Sequence, residues 1–312
     1  MSVCVCVNVV LGVVDYLHVL YLLCSSHHSL THCECIVVHD TLTHTHTHTH
    51  AQGFGTQTGE YGSAGGRRTV AYLEASQLHY DDDTQKEFRI VLAAEYTREV
   101  QRVAPNWLRL DASVSEAMFV VRETFGDRTK ELPMSVSIQC VGERHDALTA
   151  QSVVPSQLTA EQLCNALHST TLLVAGATTM FAKWARDFQY HTNTLPLFDQ
   201  QRSDQAGGDP NIRYFHSYWS IPPHTALVVR ITPPDPCQSW NFQLNNHWME
   251  SLDYRYHRVH TNSALATRDE VSEKGSSGQP SFTLVIAHEG EERSRRKDLN
   301  WLSTTGHSCG TM

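Results

Sequence analysis

The sequence predicts a mainly β protein, an antiparallel β-sandwich or jelly roll with a pair of helices at about 159–190 packed on it. Three observations carry that prediction. Apolar residues alternate at period two in several short runs, turn residues punctuate the runs, and no strand–helix–strand alternation accompanies them. Met134, Val136, Ile138 and Cys140 fall on one strand face, with Ser135, Ser137 and Gln139 on the other. Trp240, Phe242 and Leu244 alternate in the same way with Asn241, Gln243 and Asn245. Phe88–Leu92, Met118–Thr124, Ala226–Thr232 and Phe282–His288 also read as strands, several apolar on both faces and therefore central. Turn signals separate them at Asp81 to Asp83, Gly126-Asp127, Gly207 to Pro210, Pro233 to Pro236 and Gly275 to Gly278.

One segment departs from the β pattern. Thr159 followed three residues later by Gln162 is a capping box, which opens a first helix running to about His168. Leu173, Ala177, Met180, Phe181, Trp184 and Phe188 then recur at steps of three and four, the apolar stripe of a second helix ended at Leu195-Pro196. The stripe reads as core covering a sheet face rather than as a ligand tunnel.

With 312 residues, 40% hydrophobic and 18% charged, the chain can bury a core of one large or two small domains. A formal net charge of −9 argues against a general nucleic-acid binder, which needs a basic face. The one basic run, Arg293 to Lys297, reads as a solvated loop. Of the nine cysteines, only Cys140, Cys164, Cys237 and Cys309 lie beyond residue 35, too widely spaced for a disulfide framework. With no Asn-x-Ser/Thr sequon, reduced thiols in the cytoplasm are the default expectation.

The chain divides into a leader (1–66), an N-terminal β region (67–155), a helical segment (156–198) and a C-terminal β region (199–312). No Lys or Arg precedes Arg67. Residues 1–24 are apolar, but they lack the positive n-region of a signal peptide, and Asp15 and His18 interrupt a membrane span. Alternating Thr-His from Thr43 to His50 and Val-Cys from Val3 to Val7 are what repeated dinucleotides encode. Residues 1–66 therefore read as a disordered or low-complexity leader, of the kind a gene-model artefact gives, without means of packing. His32, Cys33, Cys35, His39 and Asp40 are zinc-type ligands with no second pair at a closing distance, so no metal and no cofactor are expected. Gly53-Phe54-Gly55 belongs to a linker and is not a dinucleotide fingerprint.

Several runs carry a family resemblance. Tyr214 to Trp240, Trp240 to Arg255 with its Asn-x-Trp and Glu-Ser-x-Asp elements, and Asn300-Trp301-Leu302 through Gly306-His307 to Gly310 are similar to proteins carrying domain of unknown function 1214. Asn106-Trp107-Leu108, Val121 to Phe125 and the helical segment resemble the long version of those proteins. The likeness covers roughly 70–312 and implies a β-sandwich or jelly roll, with no catalytic residues to carry over. The chain departs from the pattern between Glu289 and Asp298, where the family has a short Asp-Pro-Gly turn. It also stops at Met312, where relatives continue into another strand.

The candidate ligand-binding residues are Trp248, Asp253, Arg255, His257, Asn300 and Trp301. Aromatic rings beside amides and charges suit a polar or carbohydrate-like small molecule. Each residue also has a structural reading. Trp240 and Trp248 are core if one strand runs through both, and Asp253 caps a turn or pairs with Arg255. Glu250 and Asp253 serve as paired carboxylates only if a turn intervenes, because three residues along a strand reverses the face. The two Asn-Trp-Leu triplets are read structurally, the Asn closing a turn while Trp and Leu plug the end of the sandwich. His216, His257, His260 and His307 show no metal-ligand spacing. The leading expectation is a ligand-binding β-sandwich. The rivals are a hydrolase using Asp253, Arg255 and His257, and a scaffold domain whose partner adds an edge strand.

Overall fold

The structure is a computed structural model. It describes residues 3–10, 15–23, 36–41, 51–58, 68–80, 87–103, 105–114, 116–131, 135–140, 159–205, 208–269, 279–288, 290 and 299–312. It is a mixed structure of several small, mostly antiparallel sheets and one long helix. The first half holds β1 (Val3–Val10), β2 (Asp15–Leu23), β3 (Ile36–Thr41), β4 (Ala51–Thr58), β5 (Arg68–Glu74), β6 (Glu87–Ala93), a short helix α1 (Arg98–Val103), β7 (Asn106–Arg109), β8 (Glu116–Thr124) and β9 (Ser135–Cys140). Helices α2 (Ala160–Phe188) and α3 (Gln200–Gln205) follow. The second half holds β10 (Tyr218–Ser220), β11 (Ala226–Ile231), β12 (Asn241–Gln243), β13 (His260–Asn262), β14 (Phe282–Ala287), β15 (Asn300–Ser303) and β16 (Cys309–Thr311).

The two halves repeat one pattern. In the first, the sheets run β1-β2-β8-β4-β5 and β7-β6-β3-β9; in the second, β10-β16, β12-β13 and β11-β14-β15. Among the described pairs only β6–β7 and β14–β15 are parallel, with Ile90 opposite Asn106 and Leu284 opposite Asn300. The flanking antiparallel pairs match as well. Ile36 faces Leu92 as Leu227 faces Ile286, and Phe54 faces Leu73 as Phe242 faces Thr261. β2 lies against β8 as β10 lies against β16. The link from β4 to β8 is echoed just past β12, where Asn245 N donates to Thr311 O at 2.8 Å. The sequence carries the same register. Phe88 to Ala93 (Phe-Arg-Ile-Val-Leu-Ala) parallels Phe282 to Ala287 (Phe-Thr-Leu-Val-Ile-Ala), and Asn106–Met118 aligns without a gap on Asn300–Met312.

The two asparagines show why the repeat holds. Asn106 is buried; its Oδ1 accepts from His79 N at 2.8 Å, and its Nδ2 donates to His79 O at 2.8 Å and Arg89 O at 2.9 Å. Asn300, also buried, accepts from Thr267 N at 2.7 Å and donates to Thr267 O at 2.7 Å and Thr283 O at 3.1 Å. Each amide thus satisfies backbone groups of a preceding loop and of the neighbouring strand, at the start of a parallel strand where the ladder leaves them unpaired. The structural reading of the triplets stands, but the asparagine opens a strand instead of closing a turn.

Each half has its own core. One is built on Phe54, Phe88, Ile90, Leu92, Leu108 and Phe119, from both sheets of the first unit. The other is built on Trp219, Phe242, Leu244, Leu284, Ile286 and Leu302. Four positions coincide: Phe54 with Phe242, Ile90 with Leu284, Leu92 with Ile286 and Leu108 with Leu302.

Three expectations change. The sheets are small and separate, so the expected closed sandwich is reduced to several small sheets and a helix. The helical pair is one helix, opened as foreseen by Thr159 Oγ1 accepting from Gln162 N at 3.1 Å. It continues because Ser169 to Thr171 contain no breaker: Thr170 and Thr171 donate back to Ala166 O and Leu167 O at 2.8 and 2.9 Å. Among the described residues it packs along no sheet: 160–175 are exposed, and Ala185 and Phe188 are its buried positions. Finally, the low-complexity reading of 1–66 fails for 53–58. That stretch is buried in β4 between β5 and β8, with Phe54 in the core and Gly53 giving room for the close approach of Tyr72. The backbones of β1, β2 and β3 are also paired as strands. The cysteine–histidine motif at 32–35 lies outside the described residues.

Candidate functional site

Trp248 does not continue the β12 strand. The chain turns at Asn246, whose Oδ1 accepts from Trp248 N and Glu250 N at 2.8 and 3.1 Å while its Nδ2 donates to Glu250 Oε2 at 2.8 Å. Asn246 N also donates to Glu250 O at 2.8 Å, and Met249 takes a φ of 65°. The Asn246 side chain and a backbone bond together close the loop, the side chain acting as asparagine does in turns. Its tip presents Trp248, 56% exposed. The indole meets the His247 ring edge-on at 4.9 Å, and His247 Nδ1 lies 3.1 Å from Tyr218 Oη on β10. Burial pushes the Tyr218 phenol up to about 12, so it stays protonated, and it also donates to Cys309 Sγ at 3.4 Å. An exposed tryptophan is therefore held on a built support.

Downstream, Asp253 and Arg255 meet side-on at 3.1 and 3.2 Å, and Arg255 Cζ stands 5.6 Å from the ring centre of the exposed Tyr256. The hydrogen bond from Arg255 holds the Asp253 carboxyl below its ordinary range, with His257 adding a smaller pull in the same direction. Both members of the pair face solvent. Asn300 stands apart, buried and committed to the backbone as described above. Trp301 is half-buried, and its Nε1 has no partner among the described residues, whereas the equivalent Trp107 Nε1 donates to Ala93 O at 3.1 Å. Trp240 packs edge-on against Phe282 at 4.8 Å, the core role.

A second cluster lies where the first unit meets the linking segment. Asp209 is buried; it accepts from Arg122 Nη1 at 3.1 Å and is hydrogen-bonded to the Tyr72 phenol. Beside it, Glu74 accepts from Asn211 Nδ2 at 2.8 Å. Burial is the main cause raising both the Tyr72 phenol and the Glu74 carboxyl above their usual ranges, and the Asp209 contact raises the phenol further. Gly53 is required here, because a Cβ on it would stand 1.8 Å from Tyr72 Oη. The cavity among these groups has room for about one water, near 10 Å³, which suits a clasp and not a substrate site. No motif announced it: Tyr72, Glu74, Arg122 and Asp209 come from distant segments, and Gly53-Phe54-Gly55 reads from sequence as part of a linker. Among the described residues no three His, Cys, Asp or Glu side chains gather as a metal site. Nor is any described helix long and apolar enough to cross a membrane.

Among solved structures, the chain is similar to an uncharacterized protein from Burkholderia cenocepacia at 30% identity and a TM-score of 0.74, over 95% of this chain and 71% of that one. It also matches the VPA0106 protein from Vibrio parahaemolyticus at 11% identity and a TM-score of 0.49, over 96% and 83% of the two chains, a likeness too low to argue from. No protein-family profile and no curated protein matches the chain.

Proposed function

We propose that this chain, which belongs to the family of the uncharacterized Burkholderia cenocepacia protein, is a protein of the domain of unknown function 1214 type that binds a polar, carbohydrate-like small molecule. The observation that carries the reading is Trp248: more than half exposed, yet fixed by the Asn246 turn and the His247–Tyr218 support. A large ring held out on a rigid loop tip offers a flat apolar face to a sugar ring. Asp253, Arg255 and His257, on the same stretch of chain, supply hydrogen-bonding groups for hydroxyls, and Tyr256 offers a second exposed ring. The exposed Asp253–Arg255 pair lacks the burial that would tune a catalytic acid, so the hydrolase alternative is the weaker one.

The test is a glycan array followed by titration of the tryptophan emission with any hit. Binding should vanish in Trp248→Ala and weaken in His247→Ala, with the melting temperature of both variants close to the parent's. An array without hits, or a hit that Trp248→Ala binds equally well, overturns the proposal.

A further inference from the structure

From the mouth between β5 and β7 we infer a separate binding site in the first unit, which takes a small hydroxylated monocarboxylate between Arg68 and Arg109. The two strands belong to different sheets. Where β5 begins and β7 ends they leave a cavity of about 280 Å³, whose walls include Arg68, Thr69, Ala94, Arg109, Leu110 and Asp111. Its charged groups are held from behind. Thr56 Oγ1 donates to Arg109 O at 2.6 Å and Leu110 N to Ala93 O at 3.0 Å, which fixes the backbone that carries Arg109. Ser113 donates to Asp111 Oδ1 through its N and Oγ at 2.9 and 2.6 Å, and Arg68 Nη2 donates to Asp111 Oδ2 at 2.6 Å. These bonds hold the Asp111 carboxyl below its ordinary range, the Ser113 hydroxyl contributing most. Asp111 is a fixed anion that anchors one corner of the Arg68 fork and leaves its other donors for a ligand. The Arg109 guanidinium makes no hydrogen bond or ion pair among the described residues.

The duplicated frame separates this corner from what the fold itself requires. In the gap-free match of Asn106–Met118 with Asn300–Met312, Arg109 and Asp111 fall on Ser303 and Thr305. There Thr305 N donates to Ser303 Oγ at 3.0 Å, Ser303 is fully buried, and the corner closes on itself. At the same place the first unit carries a cation and a carboxylate instead. The charge count then sets the ligand. Arg68 and Arg109 against Asp111 leave one positive charge, so a monoanion balances the cavity, and a second negative charge would face Asp111. A carboxylate accepts two parallel bonds from the planar fork of Arg109, the geometry a guanidinium serves best. The wall around the charges is mostly polar, which suits hydroxyls better than an alkyl body. The volume lies at the small end of ligand cavities, enough for a molecule no larger than a sugar acid.

The experiment is calorimetric titration of the full chain with lactate and with glucuronate, the neutral methyl ester of each serving as control. At least one of the two acids should bind with a Kd of about 1 mM or tighter, and neither ester should bind. Arg109→Gln should weaken that binding at least about tenfold through the loss of a charged hydrogen-bonded pair. Its melting temperature should match the parent's, because the guanidinium it removes supports nothing in the fold. Asp111→Asn should admit malonate, a dianion that the parent excludes. Failure of both acids to bind the parent, equal binding by Arg109→Gln, or malonate held as well by the parent as by Asp111→Asn overturns the inference. Titration of the parent decides the first point even if a variant fails to fold. None of these residues belongs to the Trp248 loop, so Trp248→Ala should leave this binding intact and the two sites stand or fall separately.

Discussion

Gly53 in the first unit and Asn241 in the second occupy one register position, opposite Glu74 and Asn262 respectively. Around Gly53 the phenol of Tyr72 closes over the strand and joins a buried cluster with Asp209 and Arg122. Around Asn241 nothing comparable happens, and the residue is exposed. The partners opposite diverge as well. Glu74 reaches out to Asn211 of the linking segment, whereas Asn262 caps its own turn and donates to Phe125 O and Gly126 O of the first unit at 3.2 and 2.9 Å. The same frame thus carries an inward clasp in one copy and leaves room for an outward loop, 246–250, in the other. Backbone pairing and the buried asparagines are the shared part; side chains outside the four common core positions are free to differ.

The largest effect should come from the shared part. Asn106→Ala and Asn300→Ala should each cost about 4 kcal/mol in denaturant unfolding, since three hydrogen bonds go and buried backbone groups lose their partners. A silent change at either position breaks the equivalence of the units.

Next comes acid sensitivity. Burial holds His216, between the units, and His260, in the second, down to about 4. A histidine kept neutral by the fold contributes fully above the ordinary value near 6.5 and loses that contribution as pH falls toward 4. Each is worth on the order of 3 kcal/mol at most. His216→Phe keeps a ring between Phe188 and Tyr214 and should remove the His216 share of the slope between pH 6.5 and 4, followed by urea titration at several pH values. An unchanged slope would mean that His216 titrates freely.

Gly53→Ala should cost about 2 kcal/mol because Tyr72 must move, while Asn241→Ala at the same register position should change stability by under about 0.5 kcal/mol. Equal costs would show that the clasp is not specific to the first unit. Smallest of all, Asp253→Asn should leave the melting temperature unchanged, as befits a solvent-facing pair, and alter only ligand affinity.

Much of the frame was legible because strands announce themselves by alternation. The runs read as strands at Phe282 to His288 and Met118 to Thr124 are the strands Phe282–Ala287 and Glu116–Thr124, and Phe242 and Leu244 are buried as their shared parity requires. The repeat was half visible in the two Asn-Trp-Leu triplets; the matching runs at Phe88 and Phe282 carried the rest of the signal. What alternation could not supply was the turn at Asn246, which ends the strand and brings Trp248 out to solvent. Nor could it show the Tyr72–Asp209 cluster, because contacts between distant segments leave no local spacing. Helix α2 was misjudged for a related reason: an apolar stripe does not say how much of its length the neighbouring segments reach, and here the buried positions are Ala185 and Phe188 at its end.

Hydrogen exchange at His79 N and Thr267 N, the two loop amides held by Asn106 and Asn300, tests the duplicated frame most directly. Both should be protected far beyond an open loop, and each should lose that protection in the alanine variant of its own asparagine while the other is spared. If one amide exchanges in the parent at the rate of a free loop, or both respond to a single substitution, the molecule is not built from two equivalent units.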